Sequence, residues 1–178
     1  MKLRIRKGLF SWYLVDEKGL TVAGITNQKL FGAEKKISDG KGNIIFTTDI
    51  VKLPAQKTVW RYADSRKYVI YKDAKPVATA TLSFAKKPER TKTQVFMLRL
   101  PRVEKMEVET PYGVWVIQRQ KNNSLTIVHD GEPLGSVTPF FTFKPIYLEC
   151  TEKYEITFWA GIYMLIEYMM HEDDLIVV

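Results

Sequence analysis

The chain has 178 residues, of which 46% are hydrophobic and 26% charged, a composition typical of one soluble globular domain. Its single cysteine, Cys150, excludes an internal disulfide, and no apolar stretch follows the basic start, so we expect a cytoplasmic, unsecreted protein. The spacings of Cys150, His129 and His171 match no metal-binding motif, and we predict no metal site.

Motifs of enzymes are also missing from the sequence. Ser136 follows a glycine but lacks the second glycine of a nucleophile elbow. Nothing resembles a phosphate-binding Walker loop or a dinucleotide fingerprint. We therefore predict no catalytic residues, no cofactor and a non-enzymatic function.

Three stretches share a β-rich run, a polar turn and a second run of apolar and small residues: 13–25, 68–80 and 125–137. The second and third align without gaps, pairing Asp73 with Asp130, and their turns suit β-hairpins. Further strand candidates are 44–50, 57–63, 93–100, 104–109, 113–119 and 146–150. The pattern predicts about ten to twelve short strands within 1–150, in a single domain covering 1–178.

A long apolar segment follows the strands, with no charged residue between Ile156 and Ile166. We predict a helix over about 152–171, capped by Thr151, and a closing strand over 174–178. A membrane span needs about 20 apolar residues, and the acid Glu167 would be costly in lipid. We therefore predict no transmembrane segment and a helix that is buried by the rest of the protein.

Tyr163, Glu167 and His171 lie four residues apart and share one face of this helix. They could form a functional acid with a shifted pKa, or a polar ladder that satisfies Glu167 inside the fold or at its mouth. We favour the second interpretation.

The net charge of +7 is unevenly distributed along the chain, because seven of its 20 acidic residues but one of its 27 basic residues follow residue 145. Burying the acidic tail would leave a more strongly basic exterior, which attracts phosphates, anionic lipid, nucleic acid or an acidic protein. The alternative is that the lysines only maintain solubility.

The basic residues form three clusters along the chain. The first is 2–7, with Lys2, Arg4, Arg6 and Lys7; the second spans 61–75 and is interleaved with aromatics; the third occupies 86–92. The candidate anion-binding residues are Lys86, Lys87, Arg90, Lys92, Arg61, Arg66 and Lys67. The aromatics of the second cluster could also stack on single-stranded nucleic acid.

Together, the hairpins, the apolar helix 156–170, the acidic residues 172–174 and the strand 175–178 resemble the tubby C-terminal domain superfamily. This group includes the plant LURP-one-related proteins, bacterial tubby-like proteins and the phospholipid scramblases. The resemblance implies a mainly β fold, a closed antiparallel barrel of about 12 strands around a buried hydrophobic C-terminal helix. It also permits binding of phosphoinositide or other anionic phospholipid. Cys150 stands alone where scramblases carry cysteine clusters, so scramblase activity is not implied.

We therefore expect a non-enzymatic cytoplasmic module with a basic barrel surface that binds anionic phospholipid or phosphorylated ligands, peripherally at the inner membrane surface. The alternatives are a nucleic-acid-binding module and a scaffold for an unknown protein partner. The oligomeric state is not predicted.

Overall fold

The computed structural model describes residues 1–29, 32–52, 66–84, 103–139 and 144–171. These residues form twelve β-strands and one α-helix. The strands are β1 (Lys2–Lys7), β2 (Ser11–Val15), β3 (Thr21–Asn27), β4 (Lys35–Asp39), β5 (Ile44–Lys52), β6 (Arg66–Lys72), β7 (Lys75–Phe84), β8 (Val103–Thr110), β9 (Gly113–Arg119), β10 (Leu125–His129), β11 (Glu132–Val137) and β12 (Ile146–Cys150), and the helix is α1 (Ile156–Met170).

The strands close into one antiparallel barrel in which every strand pairs with its neighbours in sequence and β12 pairs back with β1. The closing register runs from Lys2 opposite Glu149 to Ile5 opposite Ile146. The predicted fold class is confirmed. Closure leaves no strand edge unpaired, which removes the usual route to edge-to-edge association. The strand candidates at 57–63, 93–100 and 174–178 lie outside the described residues.

The similar hairpins predicted from the sequence share one backbone geometry. Asp73 and Ala74 join β6 to β7 with positive φ at both residues, and Asp130 and Gly131 join β10 to β11 in the same way. In both hairpins the pairing register of the two strands shifts shortly before the turn. The second strand has an extra residue there, Val77 in one hairpin and Leu134 in the other. The hairpin of β2 and β3 carries a corresponding shift, although its turn is longer. The predicted similarity of these hairpins is therefore confirmed.

The helix α1 is buried along its whole length by the barrel, as its unbroken apolar sequence predicts. It lies against β3, β4, β5 and β6, and this side of the barrel approaches it closely. A side-chain carbon added at Gly161 would lie 3.0 Å from Ile70 and 3.5 Å from Ile37. The absence of a side chain at this position lets the helix axis run near the strands.

The helix begins later than predicted, at Ile156, and the prediction that Thr151 caps it is wrong. The Thr151 amide still donates to the carbonyl of Leu134, so the chain is tied to the sheet at that point. Tyr154 is buried against Trp115, with ring centroids 4.8 Å apart, where the chain turns into the barrel. The helix can begin only after this turn. Trp159, in the first turn of the helix, connects it to the preceding segment, because its Nε1 donates to the Thr151 carbonyl at 3.0 Å.

Candidate functional site

The two ends of the barrel differ in the charges that they carry. We call the end where α1 begins the proximal end and the end where α1 finishes the distal end. Because consecutive strands are antiparallel, the turns alternate between these ends. The turn of β1 and β2 is distal and the turn of β2 and β3 is proximal, and the alternation continues around the barrel.

Among the described residues, basic side chains predominate at the distal end. In its turns and last three strand positions these are Arg6, Lys7, Lys29, Lys35, Lys36, Arg66, Lys67, Lys105, Arg119, Lys121 and Lys144. The acids of this end are Glu34 and Glu104, with Asp49 and Glu167 one position further in. The proximal end carries the acids Asp16, Glu17, Asp39, Asp73, Glu109, Asp130, Glu132, Glu149, Glu152 and Glu155, against Lys2, Arg4, Lys18, Lys41, Lys72, Lys75 and Lys153.

The outward face of β1 presents a row of cations. Alternation along the strand buries Leu3 and Ile5 and exposes Lys2, Arg4 and Arg6. Lys2 forms an ion pair with Glu149 at 2.8 Å. The other two cations have aromatic neighbours instead of acidic ones, because Tyr147 is the β12 partner of Arg4 and Tyr13 is the β2 partner of Arg6. Among the described residues, neither guanidinium has an ion-pair partner.

Inside the distal mouth, Lys7 points inward and reaches the helix. Its Nζ lies 2.7 Å from Oε1 of Glu167, which is 3% exposed. The Tyr163 hydroxyl donates to the same oxygen, and Nε2 of His171 lies 3.3 Å from Oε2. Burial would raise the pKa of Glu167, but the hydrogen bonds from His171 and Lys7 and the charge of Lys7 outweigh it and lower that pKa. Glu167 is thus a carboxylate whose two oxygens both have partners, and Tyr163 and His171 contact it as the predicted ladder requires.

A second inward cation of the distal end, Lys35, has no such partner. It is 8% exposed, and its ammonium donates to the carbonyl of Gly32 at 2.8 Å and lies 5.8 Å from the ring of Trp12. Within the described part of the chain, no carboxylate pairs with it. Burial accordingly lowers the pKa of Lys35.

Two of the predicted anion-binding residues are described, and both lie at the distal end of β6. Arg66 and Lys67 are half-buried, and Lys67 lines a small pocket of about 100 Å³ with Glu107 and Glu109. The other predicted residues, Arg61, Lys86, Lys87, Arg90 and Lys92, lie outside the described residues.

The expectation that burying the acidic tail leaves a more basic exterior is wrong for the residues that the structure describes. Glu149 is 51% exposed and Glu152 79% exposed, and Glu155 also faces solvent. Only Glu167 among the described tail acids is buried. The acids before α1 lie on strand β12 and in the turn outside the barrel, so burial of the helix does not remove them from the surface.

Sequence reasoning also missed an exposed apolar turn at the distal end. Leu9 is 88% exposed and Phe10 46% exposed, in the turn between β1 and β2. The sequence could have indicated this turn, because Leu9 and Phe10 directly follow Lys7 and Gly8, where a hairpin turn would ordinarily carry polar residues.

Within the described ranges, no helix combines the length and hydropathy needed to cross a bilayer. The Nδ1 atom of His129 lies 3.1 Å from the Val114 carbonyl oxygen, within hydrogen-bonding distance.

Comparison of the chain with protein-family models, curated proteins and solved structures gave no match.

Proposed function

We propose that this protein is a non-enzymatic cytoplasmic module that binds anionic phospholipid at a membrane surface through its distal end. The observation that supports the proposal is the excess of cations over acids at that end of the barrel, opposite an acidic proximal end. Such a charge separation would orient the molecule in the field of an anionic surface before contact. A tubby-like relationship would be consistent with this function and is part of the same proposal.

The cations available for binding are those that no neighbouring acid neutralises. Arg6 and Lys29 are exposed at the distal end, and Arg4 extends the row along β1. Each basic residue near an anionic leaflet contributes about 1 kcal/mol, so a few of them give weak, salt-sensitive attachment.

Vesicle co-sedimentation tests the proposal. We expect binding to phosphatidylcholine vesicles that contain phosphatidylserine or a phosphoinositide, none to phosphatidylcholine alone, and release at high salt. Equal binding to neutral vesicles, or no binding to acidic ones at low salt, would refute it. A single-stranded oligonucleotide shift run in parallel tests the nucleic-acid alternative, which tight oligonucleotide binding without vesicle binding would favour.

A matched pair of charge reversals tests which end makes the contact. Arg6→Glu with Lys29→Glu changes two exposed distal cations, and Lys18→Glu with Lys41→Glu changes two exposed cations in proximal turns. Both double variants alter the net charge equally. Only the distal pair should weaken binding; equal weakening by both pairs would point to non-specific attraction by net charge.

A further inference from the structure

The turn between β1 and β2 presents the most exposed large apolar side chain of the described residues. Leu9 is 88% exposed and its neighbour Phe10 is 46% exposed. Single exposed apolar side chains are ordinary on protein surfaces. Two adjacent exposed apolar side chains in one turn are less common and can mark a binding surface.

The backbone holds this turn in a defined shape. The Gly8 amide donates to the carbonyl of Ser11 at 2.7 Å, and the Asn27 amide of β3 donates to the carbonyl of Phe10 at 3.4 Å. A side-chain carbon at Gly8 would lie 2.7 Å from the Ser11 hydroxyl, which would have to rotate away. Two backbone hydrogen bonds therefore hold the turn that carries Leu9 and Phe10, and they reduce the conformational entropy that it would lose on binding.

Two exposed cations flank this turn. Arg6 precedes it on β1, and Lys29 follows Asn27, the residue bonded to Phe10. Lys7 also precedes the turn, but its ammonium is paired with Glu167 inside the barrel mouth. The proximal end offers a contrast. Leu20 is 62% exposed in the turn that carries Asp16 and Glu17, and Ile44, the first residue of β5, is 57% exposed one turn after Asp39. An anionic surface would attract the first apolar turn and repel the second.

We propose that Leu9 and Phe10 insert into the boundary between the headgroups and acyl chains of an anionic bilayer, while the flanking cations contact lipid phosphates. The barrel would then dock with its distal end toward the membrane and its proximal end toward solvent. This inference rests on the proposed function and specifies its mode. Combined apolar insertion and electrostatic attraction is the usual physical basis of interfacial attachment.

Paired substitutions measure the apolar contribution. Leu9→Ser with Phe10→Ser should reduce partitioning onto phosphatidylserine-containing vesicles at least roughly tenfold. The reason is that the free energy of moving either apolar side chain out of water is large enough for a change of that size. Leu20→Ser with Ile44→Ser is the matched proximal control and should leave binding unchanged. Both pairs alter exposed apolar side chains in or beside turns, and thermal melting checks that each variant folds. Unchanged binding by the distal pair would overturn the inference.

A fluorescent label tests insertion directly. Leu9→Cys and, as control, Leu20→Cys would each carry an environment-sensitive fluorophore; Cys150 competes poorly, because burial raises its pKa to about 12. On acidic vesicles, the label at position 9 should shift to shorter wavelength and be quenched by nitroxide-labelled acyl chains. The label at position 20 should do neither. Vesicle binding with no response at position 9, or equal responses at both positions, overturns the insertion alone, whereas absence of vesicle binding overturns the proposed function.

Discussion

Lys7, at the end of the first strand, forms an ion pair with Glu167, near the end of the helix, with 2.7 Å between Nζ and Oε1. The carboxylate is 3% exposed and the Lys7 side chain 40% exposed. The pair therefore joins the beginning of the barrel to the last turn of the helix that fills it. A buried charge of this kind is tolerated because each of its oxygens has a partner.

Replacing Glu167 by Gln should destabilise the protein by roughly 1–3 kcal/mol, because the amide cannot satisfy Lys7, His171 and Tyr163 as the carboxylate does. Urea denaturation at neutral pH measures the change. Lys7→Met should also destabilise, since it leaves the buried carboxylate with weaker partners.

A double-mutant cycle separates this ion pair from other effects of the two substitutions. The variant with both changes should lose less stability than the sum of the single losses, by about 1 kcal/mol or more. Additive losses would show that the contact contributes little. Lys2→Met, which breaks an exposed pair with Glu149, is the matched control and should change stability by less than about 0.5 kcal/mol.

Glu167 should also make stability depend on acid pH. Its folded pKa lies below the ordinary value of 4.5, so its contribution is present above that value and is lost as pH falls through the folded pKa. The stability difference between the native protein and Glu167→Gln should therefore shrink between about pH 7 and pH 3. Denaturation curves at several pH values test this. A difference that stays constant, or grows in acid, would contradict the lowered pKa.

The two similar hairpins predict a reciprocal pair of turn substitutions. Ala74 has a φ of 62° where the equivalent residue, Gly131, has a φ of 83°. Left-handed backbone strains alanine but not glycine, so Ala74→Gly should stabilise the protein and Gly131→Ala destabilise it, each by about 1 kcal/mol. Thermal melts of both variants measure this. Shifts of the same sign would show that the two turns are not energetically equivalent.

Lys35 is a buried cation that no carboxylate of the described residues pairs with, so its charge should not stabilise the fold. Lys35→Met keeps the aliphatic stem beside Trp12 and removes the ammonium, and stability should be unchanged or rise by up to about 1 kcal/mol. Lys36→Met, one residue along on the opposite face of β4, is the control and should be neutral. A loss above about 1 kcal/mol for Lys35→Met would show that its hydrogen bond to Gly32 outweighs the burial of the charge.

Much of the architecture could be predicted because it depends on local patterns. A run of β-branched and aromatic residues marked strands such as β9, and Asp130-Gly131 marked a tight turn, since both reflect the conformations open to a few neighbouring residues. The start of the helix could not be predicted in this way. Thr151 has the chemistry of a cap, but its amide is held by Leu134 across the sheet, and that contact depends on the closed barrel.

By itself, the sequence determined that β-hairpins surround an apolar helix, because a helix without a polar face must be enclosed. Closure of the strands into a barrel was implied by the family resemblance and is shown by the structure. Only the tertiary structure decided which charges meet. Lys7 looks like a member of an exposed basic cluster until barrel closure turns it toward Glu167, 160 residues away. The direction of each strand likewise gathers distant cations at the distal end, where Leu9 and Phe10 project, because antiparallel pairing alternates the ends at which successive turns lie.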